Sequence, residues 1–352
     1  MFNLQDYDYM LPEELIAQRP AAQRDRSKLL YLHRQSGRRS HHQFYELYDL
    51  LSPSDTLVVN NTEVVPGRLF GNKDTGGKAE VLMLDYAGIC RAKTDGEFVC
   101  RCLVRSSKRP RIGTSISFDQ GLTAEVIDLQ DDIFTLKFSF SGDFERILYR
   151  IGNVPLPPYI KRTQDDGDFN DRIFYQTVYA SQKGAIAAPT AGLHFSTKLL
   201  EKLSEKGIGI VAITLHVSYG TFLPVRVADI REHRMHSERY HIAKESADVI
   251  NRMKASGSRI VAVGTTCVRT LEYAADDKGR VACGSGNCDL FIHSGYRFKV
   301  IDVMITNFHL PRSTLLMLVS AFAGRDRVLE AYKEAIQKGY RFYSYGDAML
   351  IA

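Results

Sequence analysis

Residues 260–272 read Ile260-Val-Ala-Val-Gly-Thr-Thr-Cys-Val-Arg-Thr-Leu-Glu272, and the fold class turns on them. A short apolar run rich in β-branched residues makes a buried strand. Gly264 ends it, two threonines follow, and an amphipathic helix begins by residue 266. This is the opening of a βα unit, and a chain of such units builds a largely parallel sheet covered by helices. In that architecture ligands bind beyond the carboxyl ends of the strands, where helix N-termini offer free N–H groups.

Working outward, the same texture recurs on both sides. Upstream, a helix is expected at 196–206, closed by Gly207, then a strand at 208–216, a helix at 244–255 and a strand at 259–263. Downstream come strands at 290–293 and 300–305, then helices at 314–323 and 327–337. The first residues add a helix at 12–18, with Pro12 suited to a first turn, a strand at 28–32, an amphipathic helix at 43–51 and an apolar strand at 56–60.

Between these parts the period changes. Runs at 78–84, 97–104, 123–127 and 133–140 alternate with period two, separated by turn residues such as Gly76-Gly77 and Asp131-Asp132. That spacing predicts a small antiparallel sheet or barrel, closed by a helix at 143–149 and left through a stiff proline-rich linker, Val154-Pro-Leu-Pro-Pro-Tyr159. The expected organisation is one α/β domain, residues 1–65 and 152–352, interrupted by a β-rich domain at 66–151.

Charge is uneven along the chain. From Arg91 to Arg111 seven basic residues (Arg91, Lys93, Arg101, Arg105, Lys108, Arg109, Arg111) face Asp95 and Glu97, a local excess equal to the +5 of the whole chain. Hydroxyls interleave at Arg105-Ser-Ser-Lys-Arg-Pro-Arg111, a composition suited to polyanion binding; a solvated loop is the alternative. No apolar run approaches the ~20 residues needed to span a bilayer, and no signal-peptide pattern opens the chain. Six cysteines without a paired ligand spacing predict reduced thiols in a cytoplasmic protein without a metal. Dinucleotide, P-loop, nucleophile-elbow and zinc-protease motifs are all missing from the sequence.

Six polar clusters sit where strands end or helices begin. They are Asn60-Asn61-Thr62; 187–195 with Thr190, Gly192, His194 and Phe195; 215–222 with His216, Gly220, Thr221 and Phe222; 233–240 with His236 and Glu238; Gly264 to Glu272 with Thr265, Thr266 and Arg269; and 305–314 with Asn307, His309, Ser313 and Thr314. Each has a bland reading: an Asx turn at Asn60, a buried structural histidine at His194, a solvated charged loop at 233–240, a surface pair for Arg269 and Glu272. Six at equivalent places in one α/β layer point to an active site.

The motifs NNTEVVPGRLFG (60–71), GGKAEVL (76–82), YQTVYA (175–180), AAPTAGLHF (187–195), LHVSYGTFLPVRV (215–227), HRMHSERY (233–240), VAVGTTCVRTLE (261–272), ITNFHLPRSTLLMLVSAFAG (305–324) and YRFYSYGDAMLI (340–351) together closely resemble the S-adenosylmethionine:tRNA ribosyltransferase-isomerase family of queuosine biosynthesis. Departures fall at Glu63, Gly67, Ser218 and His293-Ser294, where that family has Arg, Ala, Gly and Tyr-Pro. The resemblance implies an open, barrel-like α/β domain interrupted by a small antiparallel β-barrel. It also implies transfer and isomerisation of the ribosyl part of S-adenosylmethionine onto a 7-aminomethyl-7-deazaguanine at the tRNA wobble position. Adenine and methionine would leave, and no cofactor or metal would take part. The different-class alternative is a non-catalytic tRNA-binding protein on the same scaffold. The chemistry needs proton-transfer groups and a dry site, for which His194, His216, Glu272 and His309 are the candidates. Thr265, Thr266 and Arg269 are expected on the methionine carboxylate or ribose, with Arg68 and the remaining cluster residues lining the substrate. Lys78, Arg105, Lys108, Arg109 and Arg111 are expected to grip the anticodon arm. A monomer is expected.

Overall fold

The computed structural model describes residues 2–86, 96–162, 170–222 and 225–352, without side chains at 221–222. Arg91, Lys93 and Asp95 of the basic stretch lie outside the described residues. The strands are β1 (Lys28–Leu32), β2 (Arg39–Gln43), β3 (Thr56–Asn60), β4 (Thr62–Val64), β5 (Arg68–Lys73), β6 (Lys78–Met83), β7 (Gly96–Ser106), β8 (Ser115–Ser117), β9 (Thr123–Gln130), β10 (Ile133–Phe140), β11 (Gln182–Ala185), β12 (Gly209–Leu215), β13 (Glu238–Ile242), β14 (Ile260–Val263), β15 (Gly284–Cys288), β16 (Val303–Asn307) and β17 (Ala348–Ile351). The helices are α1 (Leu47–Leu50), α2 (Phe144–Ile151), α3 (Asp171–Phe174), α4 (Thr197–Glu205), α5 (Lys244–Ala255), α6 (Thr265–Ala274), α7 (Thr314–Ala323) and α8 (Arg325–Gln337).

A nine-stranded sheet runs β15-β13-β12-β3-β14-β16-β17-β1-β2. Its centre, β12-β3-β14-β16, is parallel. β3, β14 and β16 are buried at every position, as expected of strands covered on both faces. Alternate residues point to opposite layers. Leu57, Val59, Val261, Val263, Val303 and Ile305 pack on α1 and α4, whereas Val58, Ala262 and Met304 pack on α5–α8. Each of these Val, Leu, Ile and Met side chains contributes about 1.5–3 kcal/mol by leaving water. The parallel centre places the carboxyl ends of β12, β3, β14 and β16 along one edge.

β5 to β10 close into a separate barrel, in the order β10-β7-β6-β5-β8-β9. In β10 the alternating Phe134, Leu136, Phe138 and Phe140 point inward, and Phe144, Ile147 and Leu148 of α2 complete that core. The molecule is thus a mixed α/β protein with a large open sheet and a small closed antiparallel barrel, whose strands lie in sequence between β3 and β12.

Several local expectations need correction. The helix at 12–18 is only a 3-10 turn, Glu13–Leu15, because the backbone pairs with Phe342 instead: Phe342 N–H donates to Leu15 and Ala17 N–H to Phe342. No strand forms at 290–293. The edge strand is β15, whose Gly286 lies flat against Tyr240, where a Cβ would come within 2.9 Å of the ring. The run 233–240 is no solvated loop throughout, since its end enters the sheet as β13. The layer is also mixed, with β17 antiparallel to β16 but parallel to β1.

Candidate active site

The edge formed by the carboxyl ends of β14 and β16 borders a cavity of about 80 Å³. Gly264 ends β14 with φ 88°, a left-handed conformation open to glycine. It turns the chain so that Thr265 and Thr266 begin α6 at the cavity wall. The hydroxyl of Thr266 is buried without a hydrogen-bond partner among the described residues. Asn307, at the end of β16, is held from three sides. Its amide donates to the Tyr343 carbonyl at 2.9 Å and approaches His194 Nε2 at 3.3 Å, and its carbonyl accepts from Thr190 at 3.3 Å. Because Nε2 faces a donor, His194 carries its proton on Nδ1 and donates to Ser27 Oγ at 2.7 Å. Burial, with Arg341 and Arg24 nearby, pushes its pKa down to about 3. His194 therefore sits behind the wall as a neutral brace for Asn307.

His309 lies on the wall itself. Its Nε2 is 2.7 Å from Thr306 Oγ1, its backbone N–H donates to Tyr332, and its carbonyl accepts from Tyr9. Burial pushes its pKa to about 3, so the ring is neutral at pH 7. His216 stands apart, 2.8 Å from Thr62 Oγ1, with its pKa lowered by burial and by Arg239.

Several predicted residues serve the scaffold. Asn60 is fully buried and clips β3 to Leu215, donating to its carbonyl and accepting from its N–H at 2.9 and 3.0 Å. Asn61 accepts from Thr214 at 2.7 Å. Phe195 packs edge-on to Phe44. A Cβ on Gly192 would lie 2.0 Å from the Tyr179 hydroxyl, so only glycine fits there. Ser313 caps α7, accepting from Leu316 N–H, and Thr314 opens that helix. Gly220 packs on the exposed His236. Thr221 and Phe222 lie in a short 3-10 turn, and their side chains fall outside the described ones.

Arg269 and Glu272 do not face each other. Arg269 forms a buried ion pair with Glu238 and donates to the carbonyls of Leu290 and Cys288. The second oxygen of Glu238 accepts from Ser218 N–H at 2.9 Å. Glu272 accepts from the backbone N–H groups of Lys299, Val300 and Ile301 and from the Tyr296 hydroxyl, which ties down the 296–301 loop. Glu63, one of the sequence departures, accepts from the Tyr149 hydroxyl of α2 at 2.8 Å.

The cavity also uses residues that the cluster reading passed over: Tyr159, Tyr175, Tyr343 and Ser344. Tyr343 has φ 70°, a conformation costing an aromatic residue of order 1–3 kcal/mol that persists where its surroundings fix it. Its N–H donates to Phe308 and its carbonyl accepts from Asn307. The signal lay in the motifs 175–180 and 340–351 and in the proline-rich segment, the last of which reads as a linker.

A larger cleft of about 830 Å³ runs between the barrel and residues 155–162. Arg68, Arg105, Arg109, Lys161 and Arg162 line it, against Glu80 and Asp132. Arg68 pairs with Glu80 at 2.8 Å and Arg109 with Asp132 at 3.2 Å, whereas Arg162 is drawn to Asp171 at 2.7 Å. Lys78, Lys108 and Arg111 are exposed nearby at the barrel end, where Ala79 pairs with Ser106. Tyr159 and Ile160, adjacent in sequence, line the small cavity and the large cleft respectively, so this segment is the partition between them.

A family model described as "Queuosine biosynthesis protein" matches residues 4–351. Over 349 residues, covering 99% of both chains, the protein is 50% identical to the S-adenosylmethionine:tRNA ribosyltransferase-isomerase of Trichlorobacter lovleyi. It is 51% identical to that of Pelobacter propionicus over the same span. It also resembles the crystal structure of an S-adenosylmethionine tRNA ribosyltransferase from Thermotoga maritima, with a TM-score of 0.55 and 36% identity over 99% of this chain and 100% of that one.

Proposed function

Because the chain belongs to the queuosine biosynthesis family of S-adenosylmethionine:tRNA ribosyltransferase-isomerases, we propose that it transfers the ribosyl group of S-adenosylmethionine to the aminomethyl group of a 7-deazaguanine at the tRNA wobble position. The ribose isomerises to an epoxycyclopentanediol, and adenine and methionine leave. The observation that carries this reading is a small cavity at the strand ends separated by one segment from a basic cleft. S-adenosylmethionine belongs to the cavity side and the anticodon arm to the cleft.

The reaction needs a base for the proton next to the sulfonium, an acid for departing adenine, and exclusion of water. His309 is best placed as a proton-transfer group, since it alone of the four candidates lines the cavity. His194 acts through Asn307. His216 and Glu272 remain candidates from sequence alone. The N–H groups opening α6, with Thr265 and Thr266, suit the methionine carboxylate. The five basic residues at the barrel end, Arg109 included, are assigned to the RNA backbone. No helix among the described residues is long and apolar enough to cross a membrane; a cytoplasmic monomer is part of this proposal.

Adenine release from S-adenosylmethionine, measured with and without tRNA bearing the aminomethyl-deazaguanine, tests it. RNA-dependent release is expected. Release without RNA would indicate a hydrolase, and no release a binding protein. His309→Gln is expected to lower the rate at least 100-fold with unchanged RNA affinity.

A further inference from the structure

The small cavity has an unusual wall for a site serving a charged substrate: among the described residues, no Lys, Arg, Asp or Glu lines it. Its polar atoms come from hydroxyls, one amide and His309, and that imidazole is neutral because burial pushes its pKa to about 3. The aromatic part is three tyrosines and Phe308. Burial pushes the phenol of Tyr159 up to about 12 and those of Tyr175 and Tyr343 well above their ordinary value, so all three stay uncharged. Tyr159 and Tyr343 pack with ring centroids 4.7 Å apart, and the Tyr159 hydroxyl is 2.7 Å from Ser344 Oγ. The left-handed backbone of Tyr343 is fixed by hydrogen bonds to Phe308 and Asn307, which holds the side chain at the wall.

We propose that this cavity receives the sulfonium end of S-adenosylmethionine, its positive charge held by the rings of Tyr159, Tyr175 and Tyr343 rather than by a carboxylate. This rests on the proposed function. Size supports the sulfonium over the adenosine end: sites that enclose a whole ligand of that size run to roughly 300–1,000 Å³, whereas this one has about 80 Å³. Aromatic faces attract an onium cation through the ring quadrupole, most strongly where water is excluded. The choice of rings over a carboxylate has a chemical consequence. A neighbouring anion would damp the field that the sulfonium exerts on its adjacent carbon, and the proton to be removed there would be less acidic. Rings hold the cation and leave that field largely intact. The site would therefore discriminate by charge against the neutral thioether that lacks the sulfonium methyl group.

The test is calorimetric titration of the full-length protein with S-adenosylmethionine and with S-adenosylhomocysteine, in the presence of tRNA lacking the aminomethyl group so that no turnover occurs. Tyr159→Leu and Tyr343→Leu should each weaken the sulfonium ligand roughly 3- to 30-fold and leave the thioether within about twofold. Tyr343→Phe should bind both like the parent. In case the leucine variants fail to fold, phenylalanines of increasing fluorination at position 343 provide a second series. Sulfonium affinity should fall stepwise with fluorine number while thioether affinity stays flat. Equal losses for both ligands, or no dependence on fluorination, would show that the rings hold the adenosine part and overturn the proposal. RNA-dependent adenine release by the parent protein would still stand in that case, so the two readings fail separately. A parent protein that binds neither ligand sinks both.

Discussion

Replacing Arg269 with Met tests how the site is supported. Arg269 is 5% exposed and Glu238 3%. Each nitrogen of Arg269 has an acceptor inside the protein, and each oxygen of Glu238 has a donor. Arg269→Met leaves the Glu238 carboxylate buried without its guanidinium partner and takes a donor from the carbonyls of Leu290 and Cys288. Removing one partner of a buried pair costs about 3–5 kcal/mol, whereas replacing both by apolar side chains of similar volume is often neutral. At about 2–4 °C per kcal/mol for a domain of 150–250 residues, the single variant should melt roughly 6–20 °C lower. Arg269→Met/Glu238→Leu should recover most of that loss, leaving the Ser218 N–H and the two carbonyls as its residual cost. Melting followed by circular dichroism measures both. The KM for S-adenosylmethionine then separates a supporting role from contact with the methionine carboxylate. A double variant with restored melting and normal KM places Arg269 in support of the 218–222 turn; restored melting with KM raised tenfold or more puts it on the substrate. A single variant within ~1 kcal/mol of the parent would refute the buried-pair reasoning.

Two further outcomes are expected. His194 and His309 are buried neutral, with pKa values lowered from 6.5 to about 3, so between those limits the unfolded chain binds more protons. Stability should fall as pH drops below about 6.5, by up to ~1.4 kcal/mol per pH unit for each histidine; urea midpoints from pH 7 to 4.5 should show this, and a His309→Gln variant with an unchanged slope would contradict it. At the barrel end, the combined Arg105→Gln, Lys108→Gln and Arg111→Gln variant should flatten the salt dependence of tRNA binding by about 2–3 units of log–log slope, and an intact slope would move the RNA elsewhere.

The sequence carried the strands well where burial alone shapes them. β1, β3, β10, α5 and α7 fall within their expected bounds, because an apolar run covered on one or both sides has few other solutions. Legibility failed where a partner overrides local preference. Residues 12–18 have helix-forming composition, yet their backbone is taken by Phe342. β15 is Gly-Ser-Gly-Asn-Cys, a poor strand by propensity, and exists because β13 offers an edge and Tyr240 needs a neighbour without a side chain. The basic end of the barrel was legible as charge, but the pairing of Arg109 with Asp132 was not, since their contact depends on the β9–β10 turn.

Asn60 and Asn307 show why the site's address was readable and its occupants were not. Both end an apolar parallel strand, and both are at most 2% exposed. Their neighbours in the sheet differ. β12 runs beside β3 in parallel, so the Asn60 amide meets the backbone of Leu215 and extends the ladder by one step. β16 has β17 antiparallel at its side, and the turn leading into β17 brings the carbonyls of Tyr343 and Ser344 over its end. That arrangement leaves Asn307 facing Thr190 and the cavity. The strand end fixes where a polar residue can act; which element crosses it, set 36 residues away at Tyr343, decides whether it braces the sheet or faces the cavity.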